Sequence, residues 1–202
     1  MKISLAKPDI TNLEREAVLK VLKTSNLSLG PELEKFEKKI AKFAGVKYAV
    51  GVNSGTSALH LIIRALKIKH VHVKERDGYS IVASANCILF EGANPVFVDI
   101  DPKTLNIDVD RIEEKINQLK KLNKLNKLKA LLAVDVFGHP AKWDEIKRIA
   151  KKYKLKLIED SAEALGAEYK TSEKFTPLDS KHLTGQEVKN EKWKKCGSFG
   201  DA

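Results

Sequence analysis

Two stretches of the chain hold side chains whose types and spacing could do chemistry. In NSGTSALHL, residues 53–61, an apolar run ends in a glycine turn and passes directly into a helical pattern. A strand that opens into a helix in this way aims unpaired backbone N–H groups, and the positive end of the helix, at whatever lies beyond the strand. Gly55 lets the backbone approach a ligand closely, and the hydroxyls of Thr56 and Ser57 can donate to an anion. The segment therefore reads as a phosphate cradle or, equally, as an ordinary capped helix after a tight turn. The second stretch is LKLIEDSAEALGAEY, residues 155–169. Asp160 follows an apolar strand and should stand at the carboxyl edge of a sheet, where open α/β folds place their ligands. Glu163, three residues on, can face the same space. A carboxylate so placed can keep a heterocyclic nitrogen protonated, and the alternative is a plain helix or turn cap.

The elements that must position these groups follow from periodicity. Thr11 and Glu14 form a capping box ahead of a helix with Leu13, Ala17, Val21 and Leu22 on one face. A second helix opens at Pro31 and stops at Gly45. YAVGV, residues 48–52, reads as a strand feeding the glycine turn. VASANCILFEG then reads as a helix closed by Gly92, PVFVDID as a buried strand, and 108–122 as a helix. ALLAVDV, WDEIKRIAKKY and LKLIED continue as strand, helix and strand. Strands alternating with helices of this length predict an α/β fold, a mostly parallel sheet flanked by helices on both faces. KINQLKKLNKLNKLK, residues 115–129, reads as a solvated helix end, and 171–195, with Pro177, Gly185 and many lysines, as an exposed or disordered loop insertion.

Composition narrows the function classes. The 202 residues are 43% hydrophobic and 32% charged, enough for one large domain with a packed core. No apolar run has the ~18–20 residues of a membrane span, and the start MKISLAKPDI lacks a secretory signal, so a soluble cytoplasmic protein is expected. The net charge of +10 comes mostly from lysines spread over helix faces. Nucleic-acid surfaces concentrate arginine with aromatics, so no nucleic-acid partner and no membrane partner is expected. Cys87 and Cys196 have no C-x-x-C spacing, which argues for plain thiols over a disulfide or zinc site. His70 and His72 lack a third ligand at matched spacing, and no metal is expected.

Seven segments in order are similar to the N-terminal part of the DegT/DnrJ/EryC1/StrS family, sugar aminotransferases of the fold type I pyridoxal phosphate class. They are LAKPDI, SLGPELEKFEKKIAKFAGVKYAV, NSGTSALHL, VASANCILFEGANPVFVDIDPKTLNID, VDVFGHPAKWDEI, IEDSAEALGAEY and GSFGDA. The resemblance implies an incomplete large domain over 1–202, with the small C-terminal domain absent. It implies pyridoxal 5'-phosphate as cofactor, with Gly55 and Thr56 on its phosphate, Asp160 on the pyridine nitrogen, Glu163 at the ring hydroxyl and Asn86 on a helix lining the pocket. It further implies amino transfer from glutamate to a nucleotide-linked keto-deoxysugar in polysaccharide or amino-sugar synthesis, by a homodimer. Two alternatives remain: a dehydratase relative on the same scaffold, and a non-catalytic fragment that pairs with a full-length homologue.

The departures from the family pattern are expectations too. The cofactor-binding lysine of the family follows GSFGDA, and no lysine here stands in that context, so no catalytic residue is assigned and the chain alone is expected not to transaminate. The region KERDGYSIVASANC is shorter than in relatives, which puts Ile81 where an aromatic stacks on the cofactor, with Tyr79 nearby. Asn26 stands where many relatives have a tryptophan.

Overall fold

The computed structural model describes residues 7–68, 74–75, 82–174 and 189–202. Six α-helices run through it: α1 (Asn12–Leu22), α2 (Pro31–Ala44), α3 (Gly55–Ala65), α4 (Val82–Phe90), α5 (Val109–Lys121) and α6 (Trp143–Tyr153). The strands are β1 (Lys74–Glu75), β2 (Phe97–Val98), β3 (Ala130–Val134), β4 (Lys156–Asp160), β5 (Glu168–Lys174) and β6 (Lys189–Lys195).

Helix ends fall where their chemistry directs. Thr11 and Glu14 complete the capping box of α1. Asp108 caps α5 by accepting from Asp110 N–H. Helix α2 starts on Pro31 and ends at Gly45, whose φ of 75° is left-handed. A Cβ at Gly45 would meet nothing within 4 Å. The cost of Gly45→Ala is therefore conformational alone, and we expect about 1 kcal/mol of lost stability in a denaturant titration. A loss above about 3 kcal/mol would mean that packing holds this turn.

The centre is the parallel pair β3 and β4, in register from Ala130↔Lys156 to Val134↔Asp160. Alternation along these strands divides the core. Ala130, Leu132 and Ile158 join one apolar cluster with Leu59 and Ile63 of α3 and Cys87 and Ile88 of α4. Leu131, Ala133 and Leu157 join the other, with Ile112 and Ile116 of α5 and Trp143, Ile146 and Ile149 of α6. Successive side chains of a strand point to opposite faces, so the two strands are covered on both sides, as parallel pairing requires. Burying each Ile or Leu contributes roughly 1.5–3 kcal/mol, so this three-layer stack supplies most of the driving force for order.

The sequence expectations meet three differences. Residues 48–52 form no strand among the described residues, and Tyr48 and Val50 are exposed. A strand exists only with a ladder partner, and among the described residues none pairs with them. The strand expected at 95–101 is reduced to β2, paired in parallel with β1, and an Ile100↔Ile107 bridge. The stretch 171–195 is not loop throughout. Its ends extend an antiparallel hairpin in which β5 pairs with β6 from Glu168↔Lys195 to Lys174↔Lys189. The hairpin is anchored by Tyr169, edge-on to Phe199, by Thr171, which is buried, and by Asp144, which accepts from the N–H and hydroxyl of Ser172. Residues 175–188 lie outside the described residues, as do Tyr79, Ile81, His70 and His72.

Candidate cofactor site

Asp160 is the last residue of β4 and half-buried at the carboxyl edge of the β3/β4 pair, as its place in the sequence predicts. Its side chain lies on the face covered by α3 and α4. There Ser84 of α4 donates from Oγ to Asp160 Oδ2 at 3.4 Å, while Ala162 N–H reaches Oδ1 at 3.3 Å. The carboxylate is thus oriented by two weak donors and keeps lone pairs for a further partner. Ser84 was not singled out in the sequence. Its signal was a small hydroxyl three positions before the buried Cys87, on the same face of the helix.

Asn86 is half-buried on α4, two residues from Ser84 and so about 200° around the helix. The structure does not bring it beside Asp160; the helix presents Ser84 there instead. Glu163 is exposed, and its Oε2 accepts from Phe137 N–H at 2.8 Å in the turn after β3. Asp160 and Glu163 thus lie beyond the same edge of the pair.

Helix α3 supplies the second half of the site. Ser54 is its N-cap, accepting from Ser57 N–H at 3.1 Å and donating to the Ser57 hydroxyl at 2.9 Å. That leaves the N–H groups of Gly55 and Thr56 with no acceptor inside the helix, because the first turn has none to offer. A Cβ at Gly55 would meet nothing within 4 Å, so the approach to these donors is open. Helices α3 and α4 pack against each other and share a core cluster with β3 and β4, which fixes the cradle relative to the layer carrying Asp160. Donor N–H groups at a helix start, and a carboxylate at a strand end, suit a ligand with a phosphate and a basic ring nitrogen.

Two further histidines of the chain, His60 and His139, make structural contacts. His60 Nε2 lies 2.5 Å from Glu91 Oε1, and Arg64 Nε donates to the same oxygen at 2.9 Å. The His60 hydrogen bond, with Arg64 beside it, holds the Glu91 carboxyl below its usual range. These contacts tie α3 to the end of α4. The carbonyl of His139 accepts from Asn106 Nδ2 at 2.8 Å, and the residue lines a cavity of about 410 Å³ with Tyr169, Lys170 and Trp193.

On the opposite face of the β3/β4 pair, Asp135, Glu159 and Cys196 meet with their ligating atoms all within 4.8 Å of one another. Asp135 is wholly buried; its Oδ1 accepts from Ala141 N–H at 2.7 Å and Trp143 Nε1 at 3.0 Å. Burial, with the like charge of Glu159 in addition, pushes the Asp135 carboxyl up to about 7, against those two donors. Burial and both carboxylates push the Cys196 thiol up as well. The sequence did not mark this group, because its members come from three separate segments.

Among the described residues no helix is long and apolar enough to cross a membrane. The model of the DegT/DnrJ/EryC1/StrS aminotransferase family matches residues 8–202. GDP-perosamine synthase from Caulobacter vibrioides is 36% identical over 84% of this chain and 44% of its own length. A DegT DnrJ EryC1 StrS aminotransferase from Brucella abortus superposes with a TM-score of 0.75 at 30% identity, covering 92% of this chain and 44% of that one. The GDP-4-keto-6-deoxy-D-mannose-3-dehydratase of E. coli with bound hydrated PLP gives a TM-score of 0.70 at 31% identity, over 80% of this chain and 41% of that one. The chain therefore spans about half the length of the curated relatives it matches. It is α/β with a parallel strand pair, part of the fold of the pyridoxal phosphate-dependent aminotransferases. The chain belongs to the DegT/DnrJ/EryC1/StrS aminotransferase family, a family of pyridoxal phosphate-dependent sugar aminotransferases.

Proposed function

We propose that these residues form the cofactor-binding part of an aminotransferase that moves an amino group from glutamate to a keto group on a nucleotide-linked deoxysugar. The observation that carries the reading is Asp160 at the strand end, oriented by Ser84, on the layer that also bears the open N-terminus of α3. Pyridoxal 5'-phosphate, when bound, supplies a protonated ring that withdraws electrons from the reacting carbon. The N–H groups of Gly55 and Thr56, with the hydroxyls of Thr56 and Ser57, would hold its phosphate. Asp160, oriented by Ser84, would keep the proton on the ring nitrogen. Glu163, its carboxylate steadied by Phe137 N–H, would contact the ring hydroxyl. In the same reading the protein works in the cytoplasm as a homodimer. Leu13 and Leu22 of α1 and Phe36 of α2, all exposed, support a covered surface there.

The test is cofactor binding by the purified chain, followed by pyridoxal phosphate absorbance and by quenching of tryptophan fluorescence. Asp160→Asn keeps the shape and the Ala162 contact but cannot pair as an anion. A charge-assisted hydrogen bond contributes roughly 1.5–3 kcal/mol, so affinity should fall about 10- to 100-fold. Ser84→Ala should cost less than about tenfold. Equal affinity of Asp160→Asn and the parent chain would remove the site. Amino transfer itself is read with glutamate and nucleotide-linked keto sugars, where sugar dehydration without amine incorporation would favour the dehydratase chemistry instead.

A further inference from the structure

We propose that Asp135, Glu159 and Cys196 form a structural binding site for one divalent metal ion of borderline softness, zinc being the best fit. The group lies on the sheet face opposite Asp160, because Glu159 and Asp160 are neighbours in one strand and point to opposite sides. It is therefore separate from the cofactor site.

Three observations carry the inference. First, Asp135 is 0% exposed, and its Oδ2 has no hydrogen-bond partner, the only such buried side-chain atom among the described residues. An orphaned carboxylate oxygen in a sealed site is costly unless something positive meets it. Second, the charge next to Asp135 has the same sign. Glu159, 8% exposed, faces it, so the pair lacks the compensation that a cation would supply. Third, the donor set is one sulfur and two carboxylates. Sulfur disfavours magnesium and calcium, which seek oxygen cages, and suits zinc, which takes thiolate and carboxylate together.

Each member keeps a lone pair for the ion. Glu159 Oε2 accepts from Phe199 N–H at 2.6 Å and Gly200 N–H at 3.3 Å, but Oε1 accepts only from Gly197 N–H at 2.6 Å. Those three bonds, and the Ala141 and Trp143 bonds to Asp135 Oδ1, are the outer contacts that orient metal ligands. Separations of up to 4.8 Å exceed the ~3.5 Å between donors on one tetrahedral zinc, so side-chain rotation of about 1 Å closes the site. Binding releases the Cys196 thiol proton, and the proton of any neutral Asp135 carboxyl, to solvent. The ion would fasten the ends of β3 and β4 to residues 196–200. No C-x-x-C announces the site, since the ligands come from three segments of the chain.

The experiment is titration of the chelator-treated 202-residue chain with cobalt(II) and then zinc. Cobalt should give a thiolate-to-metal charge-transfer band in the near ultraviolet at one ion per chain, zinc should displace it, and either ion should raise the thermal midpoint. Cys196→Ser should abolish the band and Cys87→Ser should keep it. Asp135→Asn should weaken zinc by more than about tenfold while leaving the far-ultraviolet circular dichroism unchanged. A band that survives in Cys196→Ser, or absence of any stoichiometric cobalt or zinc binding by the folded parent chain, overturns the proposal. Zinc binding that Asp135→Asn leaves unaltered does so too.

Discussion

Replacing Glu159 by Ala is expected to lower the unfolding free energy of the metal-free chain by about 4 kcal/mol, a large share of the roughly 5–15 kcal/mol available to a domain. One carboxylate accepts three backbone N–H groups from Gly197, Phe199 and Gly200, in a region where Phe199 is buried. Alanine would take away the acceptor of all three donors, of which the Phe199 N–H is buried. The same segment runs beside β4. Asp201 N–H donates to the Leu157 carbonyl, Leu157 N–H to Asp201 Oδ2, and Glu159 N–H to the Ala202 carbonyl. Gly200 permits that approach, for a Cβ there would stand 3.0 Å from both Glu159 N and Leu157 O. Denaturant unfolding measures the effect. Should Glu159→Ala be too unstable to purify, Glu159→Gln keeps one accepting oxygen and should lose about half as much. Hydrogen exchange at Gly197 and Phe199 should accelerate in step. A Glu159→Gln midpoint and exchange pattern matching the parent would show that the carboxylate does not hold this segment.

The contrast between Glu159 and Asp160 shows what a sequence can disclose. Asp160 was legible because the run LKLIED ends an apolar strand, and a polar residue at a strand's carboxyl end has a predictable place. Glu159 stood beside it with the same chemistry. Its role depends on residues 197–200, whose return to β4 no local period announces. The helices were legible for the same local reason: Thr11, Asp108, Pro31 and Gly45 are capping residues, and caps act within a few residues. The strand expected at 48–52 failed because a strand is defined by its partner. The hairpin ends at 171–174 and 189–195 were missed because their lysines and glutamates give no apolar alternation, although Thr171 turns inward. Gly55 and Thr56 open α3 and Asp160 ends β4, as their local patterns predict. Ser84 rather than Asn86 faces Asp160, because two steps along a helix reverse the face.

Asp135 should make the metal-free chain lose stability as pH rises. An unfolded aspartate releases its proton near 3.8, whereas the folded Asp135 carboxyl holds its own up to about 7. Between those values the folded state binds more protons than the unfolded state, so the unfolding free energy falls with rising pH and levels off above about 7. One unit of separation corresponds to ~1.4 kcal/mol, so the full span is on the order of 4 kcal/mol. The groups facing Asp135 are Glu159, which favours its neutral form, and the Cys196 thiol and the N–H donors of Ala141 and Trp143, which favour the charged one. Asparagine at this position keeps an oxygen for both donors and carries no charge at any pH. Asp135→Asn in the presence of chelator should therefore flatten the stability profile between pH 4 and 7 and exceed the parent chain above pH 7. Urea titrations of both chains across this range read the difference directly, since other carboxylates cancel between them. Parallel profiles would mean that Asp135 is charged when folded and that a partner compensates it within the core.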